Sequence, residues 1–131
     1  MSNLKLYIGN KKYSSWSMRP WIALRHHGID FDEELTLFDH ANDNAHFWKF
    51  SPTRKVPVLV HDDLTVWDSL AILEYVAELF PETQLWPDNR AVRAHALTDC
   101  WILSNAYSRE RISDPLDRFG ALGCLPPKRR K

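Results

Sequence analysis

The hydrophobic period of the sequence changes once between Val56 and Phe80, and that change limits the fold more than any other feature. The segment VPVLVHDDLTVW alternates in the manner of two strands, Val58 to Val60 and Thr65 to Trp67, joined by a turn at Asp62 and Asp63. From Asp68 the spacing becomes helical: Ile72, Leu73, Val76, Leu79 and Phe80 fall at i, i+1, i+4, i+7 and i+8 and form one apolar stripe. Asp68 is the expected N-cap of this helix, and Pro81 its stop. A hairpin that runs directly into a one-sided helix calls for a sheet with helical cover.

Upstream, Leu4, Leu6 and Ile8 alternate with Lys5 and Tyr7 as a first short strand. Ser17, Pro20 and Gly28 punctuate a helix expected from Met18 to His27, with the serine as cap and the proline in the first turn. Ile29 to Phe38 is compatible with a second strand, and Ala45 to Phe50 reads as a short helix ended by Pro52. The order β, α, β, α, β, β, α predicts a mixed α/β sheet with helices on its faces and no internal repeat. Beyond Trp86 and Pro87, Asn89 to Tyr107 can be helical, with Val92, Leu97, Cys100, Trp101 and Leu103 on one side. Prolines 115, 126 and 127 and glycines 120 and 123 leave no room for a further helix, so the end of the chain is expected to be loop or disordered. The expected division is residues 1–83 as one domain, with 84–131 as linker, remnant helix and tail.

Composition restricts the function classes. With 44% hydrophobic and 26% charged residues, the 131-residue chain is that of an ordinary globular domain. The apolar stretch from Trp67 to Phe80 is broken by Asp68, Glu74 and Glu78, which argues against a membrane span. MSNLKLYIGNKKY lacks the pattern of a secretory signal, so a cytoplasmic location is expected. Two cysteines and six histidines at unsuitable spacings imply no metal. The 17 basic and 17 acidic side chains cancel, but Lys128 to Lys131 hold four of the basic ones, and the rest of the chain is acidic. That basic cluster reads as a solvated terminus, without a nucleic-acid or membrane role.

Three segments, in this order, resemble the glutathione S-transferase family. YSSWSMRPWIAL (Tyr13 to Leu24) is similar to the serine loop and first helix of its zeta-like and related bacterial members. SPTRKVPVL (Ser51 to Leu59) is similar to the element in which a proline after valine is held cis. WDSLAILEYVAELFP (Trp67 to Pro81) is similar to the acidic-serine start of the family's third helix. The resemblance covers about the first ninety residues. It implies a thioredoxin-like fold with a four-stranded mixed sheet, glutathione as cosubstrate, a small electrophile as second substrate, and the homodimer usual in the family. It also implies that the chain stops short of most of the helical domain that follows in such proteins. Arg54 departs from the pattern, standing where the family often has glycine.

Glutathione is an anionic tripeptide whose thiol, with a pKa of about 8.5, is only a few per cent ionised at pH 7. Lowering that pKa by about two units takes roughly 2.7 kcal/mol of preference for the anion, which a hydroxyl donor and a helix N-terminus can supply. By the resemblance Ser14 is the leading donor, with Ser15 and Ser17 as alternatives and Tyr13 behind them. Arg19 either adds positive potential near the sulfur or is a solvated first-turn side chain. Val56, before Pro57, offers its N–H and C=O to the cysteinyl part of the peptide in the manner of strand addition, and Lys55 pairs with the glycyl carboxylate or is merely exposed. Ser69 suits the γ-glutamyl carboxylate at a helix start, and Asp68 the ammonium group.

Two outcomes remain open on the sequence alone. One is a glutathione transferase, or an isomerase of the maleylacetoacetate kind. The other is a non-catalytic glutathione-binding fragment or interaction module without an electrophile site. Thiol oxidoreductase and serine hydrolase chemistry are disfavoured, because no cysteine stands near Ser14 and no Gly-x-Ser-x-Gly occurs.

Overall fold

The structure, a computed structural model, describes residues 3–106, with side chains as far as Thr98. Its contacts divide the chain into two units after Leu85. The expectations about the packing of Trp101, Ile102 and Leu103 and about the basic tail lie outside the described residues.

In the first unit the strands are β1 (Leu4–Ile8), β2 (Asp32–Leu35), β3 (Val58–His61) and β4 (Leu64–Trp67), in one sheet of order β2-β1-β3-β4. β1 runs parallel to β2 and antiparallel to β3, and β3 pairs antiparallel with β4. The parallel pair requires a crossover, supplied by α1 (Ser15–His26). α2 (Ser69–Leu79) follows the hairpin and packs beside α1 on the same face.

The alternation in β1 sorts its side chains between the two faces. Leu4, Leu6 and Ile8, all fully enclosed, join Leu24 of α1, Leu59 of β3 and Ile72 and Val76 of α2 in one core. The opposite face is covered by a 3-10 helix, Ala45–Lys49: the Phe50 ring after it stacks on Tyr7 at 4.3 Å between centroids, and the enclosed Phe47 tilts against Phe50. The mixed sheet with helical cover on both faces is therefore as expected, the second face being closed by 3-10 rather than α geometry.

Several boundaries differ from the sequence reading. α1 begins at Ser15, not Met18, because Ser14 and not Ser17 is its cap; Pro20 consequently sits inside the helix, where it deprives the first turn of one hydrogen bond. β2 is shorter than Ile29 to Phe38. Gly28, at φ 65°, ends the helix, and the Ile29 N–H still donates to the Leu24 carbonyl, so extended chain starts only at Asp32. β2 lies at an edge of the sheet and carries three successive carboxylates, Asp32, Glu33 and Glu34. Glu33 pairs with Leu6 in register and is gripped on that side by Trp21 Nε1 at 2.6 Å, Lys11 Nζ at 2.5 Å and Arg25 Nη2 at 3.4 Å.

The second unit contributes α3 (Arg90–Ala106), capped by Asn89, whose Oδ1 accepts from the N–H groups of Ala91 and Val92. Among the described residues no helix is long and apolar enough to cross a membrane.

Candidate functional site

Strand register gathers the predicted residues at one end of the sheet. Tyr7 of β1 lies opposite Val58, and Val58 lies opposite Trp67. The chain leaving β1 toward Ser14, the chain entering β3 through Lys55, Val56 and Pro57, and the chain leaving β4 into Asp68 and Ser69 therefore all emerge past the same row. Two helix N-termini, those of α1 and α2, open at that end.

At the first, Ser14 is 6% exposed and its Oγ accepts from Ser17 N at 3.4 Å, while its own proton is donated to Ser17 Oγ at 2.7 Å. Ser17 is fully enclosed and also accepts from Gly9 N at 3.1 Å, so it has no surface to offer a ligand. Ser15 is half-buried at the first helical position. The Ser14 cap does not serve the N–H groups of Ser15 and Trp16, which leaves two donors at the positive end of the helix. Tyr13 is 74% exposed. Arg19 is buried with its guanidinium over the Trp16 ring at 4.4 Å, which excludes the solvated reading of this side chain.

The second segment is shaped by a residue the sequence reading passed over. Ser51 is buried, and its Oγ donates to the Lys55 carbonyl at 2.7 Å while accepting from the Lys55 N–H at 3.0 Å. This closes a small loop just before Val56, and the Val56–Pro57 bond is cis. Pro57 is buried, Val56 half-buried, and the Lys55 side chain exposed. Arg54 stands in the loop at φ 55°, a left-handed conformation natural to glycine. Its guanidinium pairs with the Asp43 carboxylate and lies over Trp48, so the loop keeps its glycine-like course around an arginine.

At the third segment Asp68 Oδ1 accepts from Leu70 N at 2.9 Å and Ala71 N at 3.3 Å, as expected of an N-cap. Oδ2 makes neither bond, and the cap does not serve the Ser69 N–H. Asp68 holds φ 76°, ψ 130°, outside the usual regions for a non-glycine residue. Ser69 is 2% exposed at the first position of α2.

Gly9 completes the floor beneath Ser14. A β-carbon there would stand 2.7 Å from the Phe38 ring and 3.1 Å from Ser14 Cβ, so only glycine admits this approach. A glycine directly after a strand and before a polar loop was the available signal for it.

A mixed sheet of this order, entered at β3 through a cis-proline and flanked by two helices whose starts share one end, is the thioredoxin-like arrangement. Residues 13–79, just over half the chain, match the family described as "Glutathione S-transferase, N-terminal domain". The chain belongs to the glutathione S-transferase family. It is 39% identical over 92 residues to "Glutathione S-transferase 1" of Dianthus caryophyllus, across 70% of this chain and 41% of that protein. It is 33% identical over 96 residues to a "probable maleylacetoacetate isomerase" of Caenorhabditis elegans, across 73% and 45%. Among solved structures, a glutathione transferase homolog from Burkholderia with bound glutathione aligns at TM-score 0.65 and 25% identity, covering 92% of this chain and 64% of that one. The chain thus spans less than half the length of these two curated relatives.

Proposed function

We propose that residues 1–83 form a domain that binds reduced glutathione at the shared end of the sheet and stabilises its thiolate. The observation that carries this is the register, which brings two open helix N-termini and the chain around the cis-proline to one place. Glutathione requires receptors for two carboxylates, an ammonium group, a peptide backbone and a sulfur anion. The Ser69 N–H and hydroxyl receive the γ-glutamyl carboxylate, and Asp68 Oδ2 takes the ammonium group. The main chain of Val56 pairs with the cysteinyl unit, and Lys55 meets the glycyl carboxylate. Ser14, backed by the N–H groups of Ser15 and Trp16, donates to the sulfur, and the thiol proton leaves to water. The unusual backbone of Asp68 supports the same reading, because strain of about 1–3 kcal/mol persists where it is needed to aim groups at a ligand.

For the protein as a whole the proposed reaction is addition of the thiolate to a small electrophile, or glutathione-assisted isomerisation, with a homodimer as the assembly. Residues 84–131 carry the linker and first helix of the helical domain. Titration calorimetry with reduced glutathione is expected to show saturable heat. Ser69→Ala should weaken it by about tenfold or more, since a hydrogen bond to a charged group contributes roughly 1.5–3 kcal/mol. No heat from folded protein refutes the binding reading. Binding without turnover of a generic electrophile refutes catalysis by this chain and leaves a glutathione-binding module.

A further inference from the structure

The proton of Ser14 points to an arrangement that a single catalytic hydroxyl would not need. A serine hydroxyl has one proton to donate and two lone pairs with which to accept. Ser14 donates its proton to Ser17 Oγ at 2.7 Å, away from any ligand, and accepts only a long 3.4 Å contact from Ser17 N. Ser17 Oγ accepts from both Ser14 and Gly9 N, which occupies its two lone pairs, and its own proton has no acceptor among the hydrogen bonds of the described residues. The two oxygens are thus already at bonding distance, with one proton between them and a second in reserve.

We propose that Ser17 is a positioning residue for thiolate activation, acting through Ser14 as a reversible hydroxyl partner. When Ser14 turns its proton to a bound sulfur, Ser17 turns its own proton onto Ser14 Oγ. The 2.7 Å contact survives with its direction reversed, and Gly9 N continues to hold Ser17 in place. In the ligand-binding arrangement the Ser17 proton gains the acceptor it otherwise lacks. In the ligand-binding arrangement the chain Gly9 N–H to Ser17 to Ser14 to sulfur runs in one direction, so each bond polarises the next and strengthens the last. Full burial of Ser17 keeps water from taking its place. The inference rests on the glutathione reading and assigns Ser17 a role distinct from direct sulfur contact.

The test is the pH midpoint of thiolate absorbance for reduced glutathione bound to the full chain, alongside calorimetric affinity and thermal melting. Chain polarisation strengthens a bond by roughly a tenth to a third. Ser17→Ala is accordingly expected to raise the midpoint by about 0.5, a roughly threefold fall in the thiolate-to-thiol ratio at a given pH, with glutathione affinity within about twofold. Ser14→Ala should raise it further, and Ser17→Thr, which keeps the hydroxyl, should restore it. If Ser17→Ala does not fold, Ser17→Cys, of similar size but a weak donor, is expected to give the same upward shift. An unchanged midpoint overturns the proposal. So does a lowered one, which would make Ser17 a competitor for the Ser14 proton. Failure of Ser17→Thr to restore the midpoint also overturns it, by reducing Ser17 to a packing residue. Absence of glutathione heat in the unsubstituted protein is a separate result, which removes the binding reading and this inference together.

Discussion

Replacing Gly9 by alanine tests how tightly the floor of the site is built. The added β-carbon would lie 2.7 Å from both Cε2 and Cζ of Phe38 and 3.1 Å from Ser14 Cβ. Carbon atoms in contact settle at about 3.5–4.0 Å, so the ring must retreat by roughly 1 Å. Its path is obstructed: His40 stacks on it at 5.5 Å, and the fully buried Phe47 leans on it at 5.8 Å. Ser14 has no more freedom, because its hydroxyl is tied to Ser17. Overpacking of this kind costs about 1–3 kcal/mol, and the stiffer unfolded chain returns up to about 1 kcal/mol, leaving a net loss of about 1–2 kcal/mol. With a urea dependence of roughly 1–3 kcal/mol per M, the unfolding midpoint should fall by about 0.3–2 M. The double substitution Gly9→Ala with Phe38→Ala removes the collision. It should therefore be more stable than the sum of the singles by about 1 kcal/mol. Glutathione affinity should fall in the single Gly9 variant because Ser14 is displaced. An unchanged midpoint together with zero coupling to Phe38 would refute the claim that Gly9 is required for close approach.

Two further outcomes follow from charge and backbone. Burial pushes the Glu33 carboxyl upward, but hydrogen bonds from Lys11, Trp21 and Arg25 and the Lys11 charge outweigh it and hold the pKa below the ordinary 4.5. A depressed native pKa gives stability that is present above the unfolded value and lost as pH falls through the native one. Glu33→Gln should therefore be less stable than the unsubstituted protein by roughly 1 kcal/mol near neutral pH. That gap should close below about pH 4.5 in chemical denaturation curves; a gap independent of pH would contradict the assignment. Arg54→Gly relieves a left-handed residue, worth about 1 kcal/mol, but frees the unfolded chain by a similar amount and gives up only a half-exposed ion pair. Its melting temperature should stay within about 4 °C of the original, whereas Arg54→Val, branched at the β-carbon, should melt well below it.

What could be read from the chain, and what could not, follows from the range of the interactions involved. The hairpin, the core stripe of α2 and its Asp68 cap are local patterns in which period and punctuation agree, and they stand almost where the sequence places them. The cis bond before Pro57 came from family resemblance alone. The start of α1 is ambiguous in the sequence because Ser14 and Ser17 are identical in type and three residues apart. Pro20 favoured the later cap by the usual rule for prolines, but the earlier serine makes the capping bond. Ser51 gave no warning of its role, since its partner is the backbone of Lys55 and depends on the loop being closed. Arg54 stands out in the sequence only as a departure, because a residue type that seldom adopts positive φ gives no sign of doing so. The bounds of β2 were blurred because an edge strand rich in carboxylates has no apolar alternation to mark its ends. For the candidate site, the strand register brings the three motif segments to one end of the sheet, a juxtaposition that no local pattern in the chain displays.

The acidic run on β2 bears on what the molecule avoids. An open sheet ends in rims whose backbone groups can recruit another chain, and a newcomer beside β2 would settle about 4.8 Å away. Asp32 and Glu34 would then face the carboxylates of a second copy at that spacing, so two such rims repel each other, whereas Glu33 is already neutralised by Lys11 and Arg25.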